Sequence, residues 1–306
     1  MINLQPGPSQ LFHSVRDHVR QAFKLRIPEL IPSSGEAGEL IQQTARQLRE
    51  LLAIPDTHKI FFLPETRHFM DASKRLLGDS NASLLSHEML LSDDIAAHSN
   101  RQLLALHHTE EGGTSLPSDR LAQLHNNNTD RLMALDVSLA WPYASLPLET
   151  VDAVYLEFHF GFGLPAGLSA VVVNERWMQR HENEQSLYGQ IHPSLNLTWV
   201  SVLGGVIDDM LSRGITTIRR ETEYKSALLY HLLDQHPLLQ PVVTEKSVRA
   251  RTIIAVRTPE IDLVQGELRR HAISAGFTGN SLVFANFPSH SKEQYERLAD
   301  VLSAIR

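Results

Sequence analysis

The chain has no cysteine. That absence excludes disulfide staples, a thiolate nucleophile and thiolate-ligated zinc, and fits a reducing compartment. A basic patch is missing too: 28 Lys and Arg stand against 35 Asp and Glu, a formal net charge of −7, and the cations are scattered. An acidic chain without clustered cations is not drawn to nucleic acid or to an anionic membrane, so neither is expected as a partner. No apolar run approaches the roughly twenty residues that span a bilayer. Residues 1–10 have no basic start followed by an apolar segment, so no export signal is read there and a cytoplasmic location is the expectation. No internal repeat is visible.

What remains is the composition of an ordinary globular protein, 306 residues with 42% hydrophobic and 21% charged side chains, enough for a large core and two domains. Short apolar runs at 59–63, 103–107, 132–137, 153–158 and 169–173 read as buried strands. They alternate with amphipathic stretches, the pattern of an α/β sheet flanked by helices. Helices are predicted over 40–52, ending before Pro55, and over 69–77, followed by a polar stretch from 78 to 101. The triplet Asn126-Asn127-Asn128 reads as a turn. Residues 198–234 read as helical with a break at Gly214, and Arg219, Arg220, Glu221 and Glu223 as a solvated face. Beyond Pro237, strands are expected at 252–256 and 281–287, then a closing helix over 291–305 whose Ser291 and Gln294 have capping-box spacing. These readings give an α/β fold with a mostly parallel sheet over residues 1–222 and a smaller α+β domain over 223–306. Trp141, Trp177 and Trp199 sit in no motif and are expected to pack in the core.

Several blocks occur in a fixed order: Gly7-Pro8-Ser9-Gln10-Leu11, residues 48–63, the strand ending at Asp136, residues 151–175 with Gly161-Phe162-Gly163-Leu164-Pro165-Ala166-Gly167-Leu168, residues 208–230, and Ala285-Asn286-Phe287-Pro288-Ser289-His290. Together they resemble class V aminotransferases of the phosphoserine aminotransferase group. The resemblance implies a fold-type I architecture, a homodimer with sites near the subunit interface, and a ligand at the carboxyl ends of the large-domain strands. It also implies pyridoxal phosphate, held by a lysine whose amine forms the Schiff base. Phe160 stands at the position of that lysine.

Other matched positions are altered as well. The family's small-residue turn that receives the phosphate at a helix N-terminus is here Glu65-Thr66-Arg67-His68. Family members carry tens of residues more between about 77 and 103, including the segment with the aromatic that stacks on the cofactor. Glu111, in His107-His108-Thr109-Glu110-Glu111, replaces a cofactor-contacting hydroxyl. Pro32-Ser33-Ser34 and Val283 stand where relatives have arginines for the substrate carboxylate. Asp136 matches the carboxylate that pairs with the pyridinium nitrogen, and Arg249 resembles a further family arginine; both are read as vestiges of the site.

Three readings are therefore open. The first is a noncatalytic or regulatory subunit, paired with itself or with an active paralogue, with no cofactor unless pyridoxal phosphate binds noncovalently. The second is a repurposed cleft, in which His107 or His108, Glu110, Asp136 and His159 near strand ends hold a metal or act as acid and base, or in which His159 stands in for the lysine beside noncovalent cofactor. His107 and His108 cannot both face inward, because side chains alternate along a strand. The third is a conventional aminotransferase using another lysine; Lys74, Lys225 and Lys246 have no evident route to Asp136. A strand-end Asp136 that merely caps the turn at Ser138 is the plainest account of that residue.

Overall fold

The computed structural model of the chain describes residues 1–76, 84–87, 102–180 and 194–305. The polar stretch expected over 78–101, and with it the shortened segment, lies outside the described residues apart from 84–87. The first half of the chain runs through strand β1 (Ile2–Leu4), helices α1 (Val15–Lys24) and α2 (Gly35–Leu52), strand β2 (Lys59–Leu63) and helix α3 (Thr66–Leu76). Strands β3 (Leu84–Leu85) and β4 (Leu103–His107), helix α4 (Ser118–Asn127), strands β5 (Leu132–Asp136), β6 (Ala153–Glu157) and β7 (Ser169–Val173) and helix α5 (Glu175–Arg180) follow. The strand readings at 59–63, 103–107 and 169–173 hold to the residue. The triplet read as a turn instead begins in α4, and only Asn128 lies beyond its end.

The larger sheet has the order β2-β7-β6-β5-β4-β3. Pairs β3–β4, β4–β5 and β5–β6 are parallel, while β7 runs antiparallel to both β6 and β2. Five of the six strands thus point one way, as a mostly parallel sheet requires. The strands of its centre share one sequence logic. β4, β5 and β6 each bury four apolar residues and then end on a half-exposed polar one, His107, Asp136 and Glu157. Continuous apolar runs mark strands covered on both faces, and their polar last residues emerge together along the carboxyl edge.

Helices α6 (Leu197–Arg213) and α7 (Ile215–Leu233) are separated by Gly214 at φ 83°, the expected break. α6 packs against α1 and α2, and α2 begins with Ser34 accepting from the Ala37 amide at 3.2 Å. The charged face of α7 is more than solvated: Arg219 donates to the Tyr143 carbonyl at 2.9 Å, and Glu221 pairs with Arg213 and Lys292.

The second sheet, β1-β10-β11-β9-β8, is built from β8 (Gln240–Pro241), β9 (Ile253–Arg257), β10 (Ile273–Thr278) and β11 (Ser281–Ala285) together with β1. Helix α8 (Ile261–Arg270) precedes β10, and α9 (Lys292–Ser303) closes the chain with the predicted capping box between Ser291 and Gln294. Residue 222, where the larger domain was expected to end, lies within α7, and β1 pairs parallel with β10, taking the first residues of the chain into the second sheet. Trp141 and Trp177 are fully buried, as expected for packing residues.

Lys225, on α7, is buried, and its ammonium donates to the carbonyls of Phe287 at 3.0 Å and His290 at 2.8 Å. Burial lowers its pKa from 10.5 to about 7, against the opposing pull of Glu221. Because the folded pKa lies below the unfolded one, the unfolded chain binds more protons between the two, and stability rises with pH across that window. We expect the stability of the wild type relative to Lys225→Met, measured by urea denaturation, to increase from pH 7 to pH 9. A difference that stays flat would contradict this placement.

Candidate functional site

The carboxyl edge of the larger sheet opens into a cleft of about 520 Å³ facing the second sheet. His107, Asp136 and Glu157 enter it from three adjacent strands, Glu110 and Glu111 from the loop after β4, Thr66 from the start of α3, and Thr278 from β10. The parallel register sets His107 opposite Asp136, and Asp136 opposite Tyr155. Since side chains alternate, Tyr155 and Glu157 share one face of β6. Among the described residues, four carboxylates line the cleft and no lysine or arginine does.

Three of these carboxylates are individually engaged. Asp136 accepts from the Ser138 amide at 2.9 Å, the turn-capping bond read from the sequence, and its other oxygen lies 3.5 Å from His107 Nδ1. Glu157 accepts from Thr66 Oγ1 at 2.9 Å, which places a carboxylate at the first residue of helix α3. Its own amide donates to Ser138 Oγ at 3.0 Å. Glu110 accepts from the His87 amide at 2.7 Å, and His87 Nε2 meets the His107 carbonyl at 2.6 Å. Tyr155 is buried, and its hydroxyl has no hydrogen-bond partner among the described residues. Burial, and then the charge of Asp136, push that phenol well above its usual pKa.

The imidazoles differ sharply. Burial by itself would lower His107, but the hydrogen bond and charge of Asp136, with Glu110 and Glu111 behind it, outweigh burial and hold its pKa above 6.5. His108 faces the other way. It is buried in a neighbouring cavity with Nδ1 3.0 Å from Thr109 Oγ1, and burial lowers its pKa to about 4. Of the candidates read from the sequence, His107, Glu110, Asp136 and Phe160 meet in the cleft and His108 does not. His159 is not in the cleft wall. Its Nδ1 lies 3.3 Å from Glu157, and burial lowers its pKa against the pull of that carboxylate. Among the described residues, no three His, Asp or Glu side chains are grouped to hold a metal ion.

Phe160 closes one side of the cleft and leans on the apolar seam between the sheets, formed by residues such as Leu139, Ile253 and Phe287. The backbone around it is tightly held. Ser9 Oγ donates to the Phe160 carbonyl at 2.8 Å, and a Cβ on Gly7 would come within 2.3 Å of the Phe160 ring. A Cβ on Gly161 would lie 1.9 Å from the Trp141 carbonyl oxygen, so only glycine fits there. Arg249 does not line the cleft but a neighbouring cavity, and it is paired with Asp234 at 2.7 and 3.1 Å.

With this geometry in hand, the likeness to known structures is close over nearly the whole chain. A phosphoserine aminotransferase from Cytophaga hutchinsonii superimposes with a TM-score of 0.83 at 23% identity, covering 98% of this chain and 98% of that one. The fold is that of an aminotransferase. A subgroup IV aspartate aminotransferase from Thermus thermophilus matches with a TM-score of 0.77 at 16% identity, over 99% of this chain and 98% of its own. A phosphoserine aminotransferase from Trichomonas vaginalis, whose structure holds pyridoxal phosphate, matches with a TM-score of 0.75 at 11% identity over 98% of both chains. At these identities the likeness is one of fold. No protein-family profile matches the sequence.

Glu157 was missed in the sequence reading. Period-two alternation on β6 was the available signal, because 153, 155 and 157 must share a face and Glu157 ends an apolar run as Asp136 does. We expect His107 to titrate above 6.5 by NMR in the wild type. Asp136→Asn should bring it below 6.5, because burial is then opposed by less charge. An unchanged His107 titration in the variant would contradict the pairing.

Proposed function

We propose that this aminotransferase-fold protein does not carry out pyridoxal phosphate transamination and serves as a noncatalytic or regulatory subunit, as a homodimer or together with an active paralogue. The observation that carries the reading is the position of the lysines. The chain has six, Lys24, Lys59, Lys74, Lys225, Lys246 and Lys292, and none lines the cleft. Lys225 is buried under backbone carbonyls, Lys246 pairs with Asp234, and Lys292 faces Glu221. Phe160 occupies the matched position and has no amine to offer.

The residues present do not fit the cofactor's phosphate either. In relatives with this fold, the anion expected at a helix N-terminus is the ligand's; here Glu157 supplies the negative charge at the start of α3, through Thr66. A phosphate dianion brought alongside would meet that carboxylate and three others, with no lysine or arginine among the described lining residues to offset them.

A second reading is favoured by one observation, the approach of His107 to Asp136. A carboxylate that raises the pKa of a cleft imidazole is what proton-transfer chemistry without a Schiff base would use. The His107 titration described above is the measurement on which that reading turns.

The main proposal is tested by incubating the full chain with pyridoxal phosphate, reducing with borohydride and weighing the intact protein. We expect the unmodified mass. A stoichiometric pyridoxyl adduct at one lysine would overturn the proposal.

A further inference from the structure

Next to the acidic cleft, and sharing Thr109 with it, lies a second cavity of about 190 Å³ with the opposite electrostatic character. It opens on the His108 side of β4, where the segment after that strand is tied to the chain leading into β9. There the Ser115 amide donates to the Val248 carbonyl at 2.8 Å and the Ala250 amide to the Gly113 carbonyl at 2.8 Å. Two arginines line it, in different states. Arg249 is 8% exposed and satisfied: it forks onto Asp234, donates from Nε to the Val243 carbonyl at 2.9 Å, and lies 4.8 Å over the Tyr230 ring. Arg251 is half-buried, and its guanidinium has no hydrogen bond or ion pair with any described residue. Its backbone is nevertheless fixed, because its carbonyl accepts from Asn286 Nδ2 at 2.8 Å.

A guanidinium in a cavity wall whose charge no described residue pairs is a recognition element for an anion. The surroundings narrow the kind of anion. His108 is neutral at pH 7 and adds no second charge. Lys246 and Arg249 share Asp234, Glu223 lies near Tyr143, and Glu245 accepts from the Ser247 hydroxyl. A guanidinium without an ion pair among the described residues, set among nearby carboxylates, suits a monoanion better than a dianion. The planar fork suits a carboxylate, and the volume lies below the roughly 300 Å³ at which drug-sized sites begin.

We infer that this cavity binds a small organic monocarboxylate, its two oxygens forked by Arg251 with the hydroxyls of Ser115 and Thr252 beside it. The site is separate from the acidic cleft and does not depend on what that cleft does. An occupant would nonetheless touch the segment that carries Glu110 and Glu111, because Thr109 and Ser115 bridge as antiparallel partners at its base.

The test is a titration of the full chain with sodium acetate and with sodium propionate in low-salt buffer, followed by amide NMR, with sodium chloride at matched ionic strength as the control. We expect saturable shifts at Thr109, Ser115, Ser247 and Thr252. Arg251→Gln should weaken binding by at least about tenfold, the loss of a charge-assisted forked contact. It should melt at the wild-type temperature, because the side chain bonds to no other group among the described residues. Arg251→Lys keeps the charge and loses the fork, so it should bind several-fold more weakly than wild type. Shifts no larger than those with chloride, wild-type affinity in either variant, or tighter binding of inorganic phosphate than of acetate would each overturn the assignment.

Discussion

The hydrogen bond from Thr66 to Glu157 is the contact on which the reading of this molecule depends. A helix N-terminus concentrates partial positive charge and unsatisfied amides, and in a fold of this kind it is the natural place for a ligand's anion. When the protein's own carboxylate sits there, two things follow from the same bond. The partial positive charge at the helix end is offset by the protein's own carboxylate, and any phosphate that approaches meets a covalently tethered competitor. The remaining acids of the cleft, Asp136, Glu110 and Glu111, deepen the same negative potential.

The scaffold around that bond retains the packing of an aminotransferase. β4, β5 and β6 still deliver their last residues to one edge, and the Ser9 segment and Gly161 still fix the turn after β6 within tight limits. Phe160 makes physical sense in this setting. Its ring leans on the apolar seam between the two sheets, where an ammonium would be desolvated next to aliphatic side chains. On the reading proposed above, the side chain at this position serves packing.

Much of this was legible in the sequence, for identifiable reasons. Buried strands announce themselves as continuous apolar runs, which is why β4 and β7 were bounded correctly, and the short apolar run of the edge strand β2 was bounded by the same signal. The Ser291 and Gln294 capping box and the break at Gly214 are local signals that tertiary structure did not override. Asp136 could be placed at a strand end because its neighbours on the chain specify the strand. β1 was not read, because a three-residue strand has no periodicity and its pairing with β10 joins residues about 270 positions apart in sequence. The site was only half visible for a related reason. Alternation predicts that His107 and His108 diverge, but it cannot tell which one shares a face with Asp136, and it says nothing of a hydroxyl on α3 reaching a carboxylate on β6. Arg251 could not have been singled out at all. Its distinction from Arg249 is that Asp234 satisfies one guanidinium and leaves the other, a fact of three-dimensional neighbours.

The most direct measurement is the reversible binding of pyridoxal phosphate by equilibrium dialysis, comparing the wild type with Glu157→Gln. The account expects no retention above the free concentration in the wild type, and measurable retention only once the tethered carboxylate is neutralised. Stoichiometric retention by the wild-type protein would contradict it.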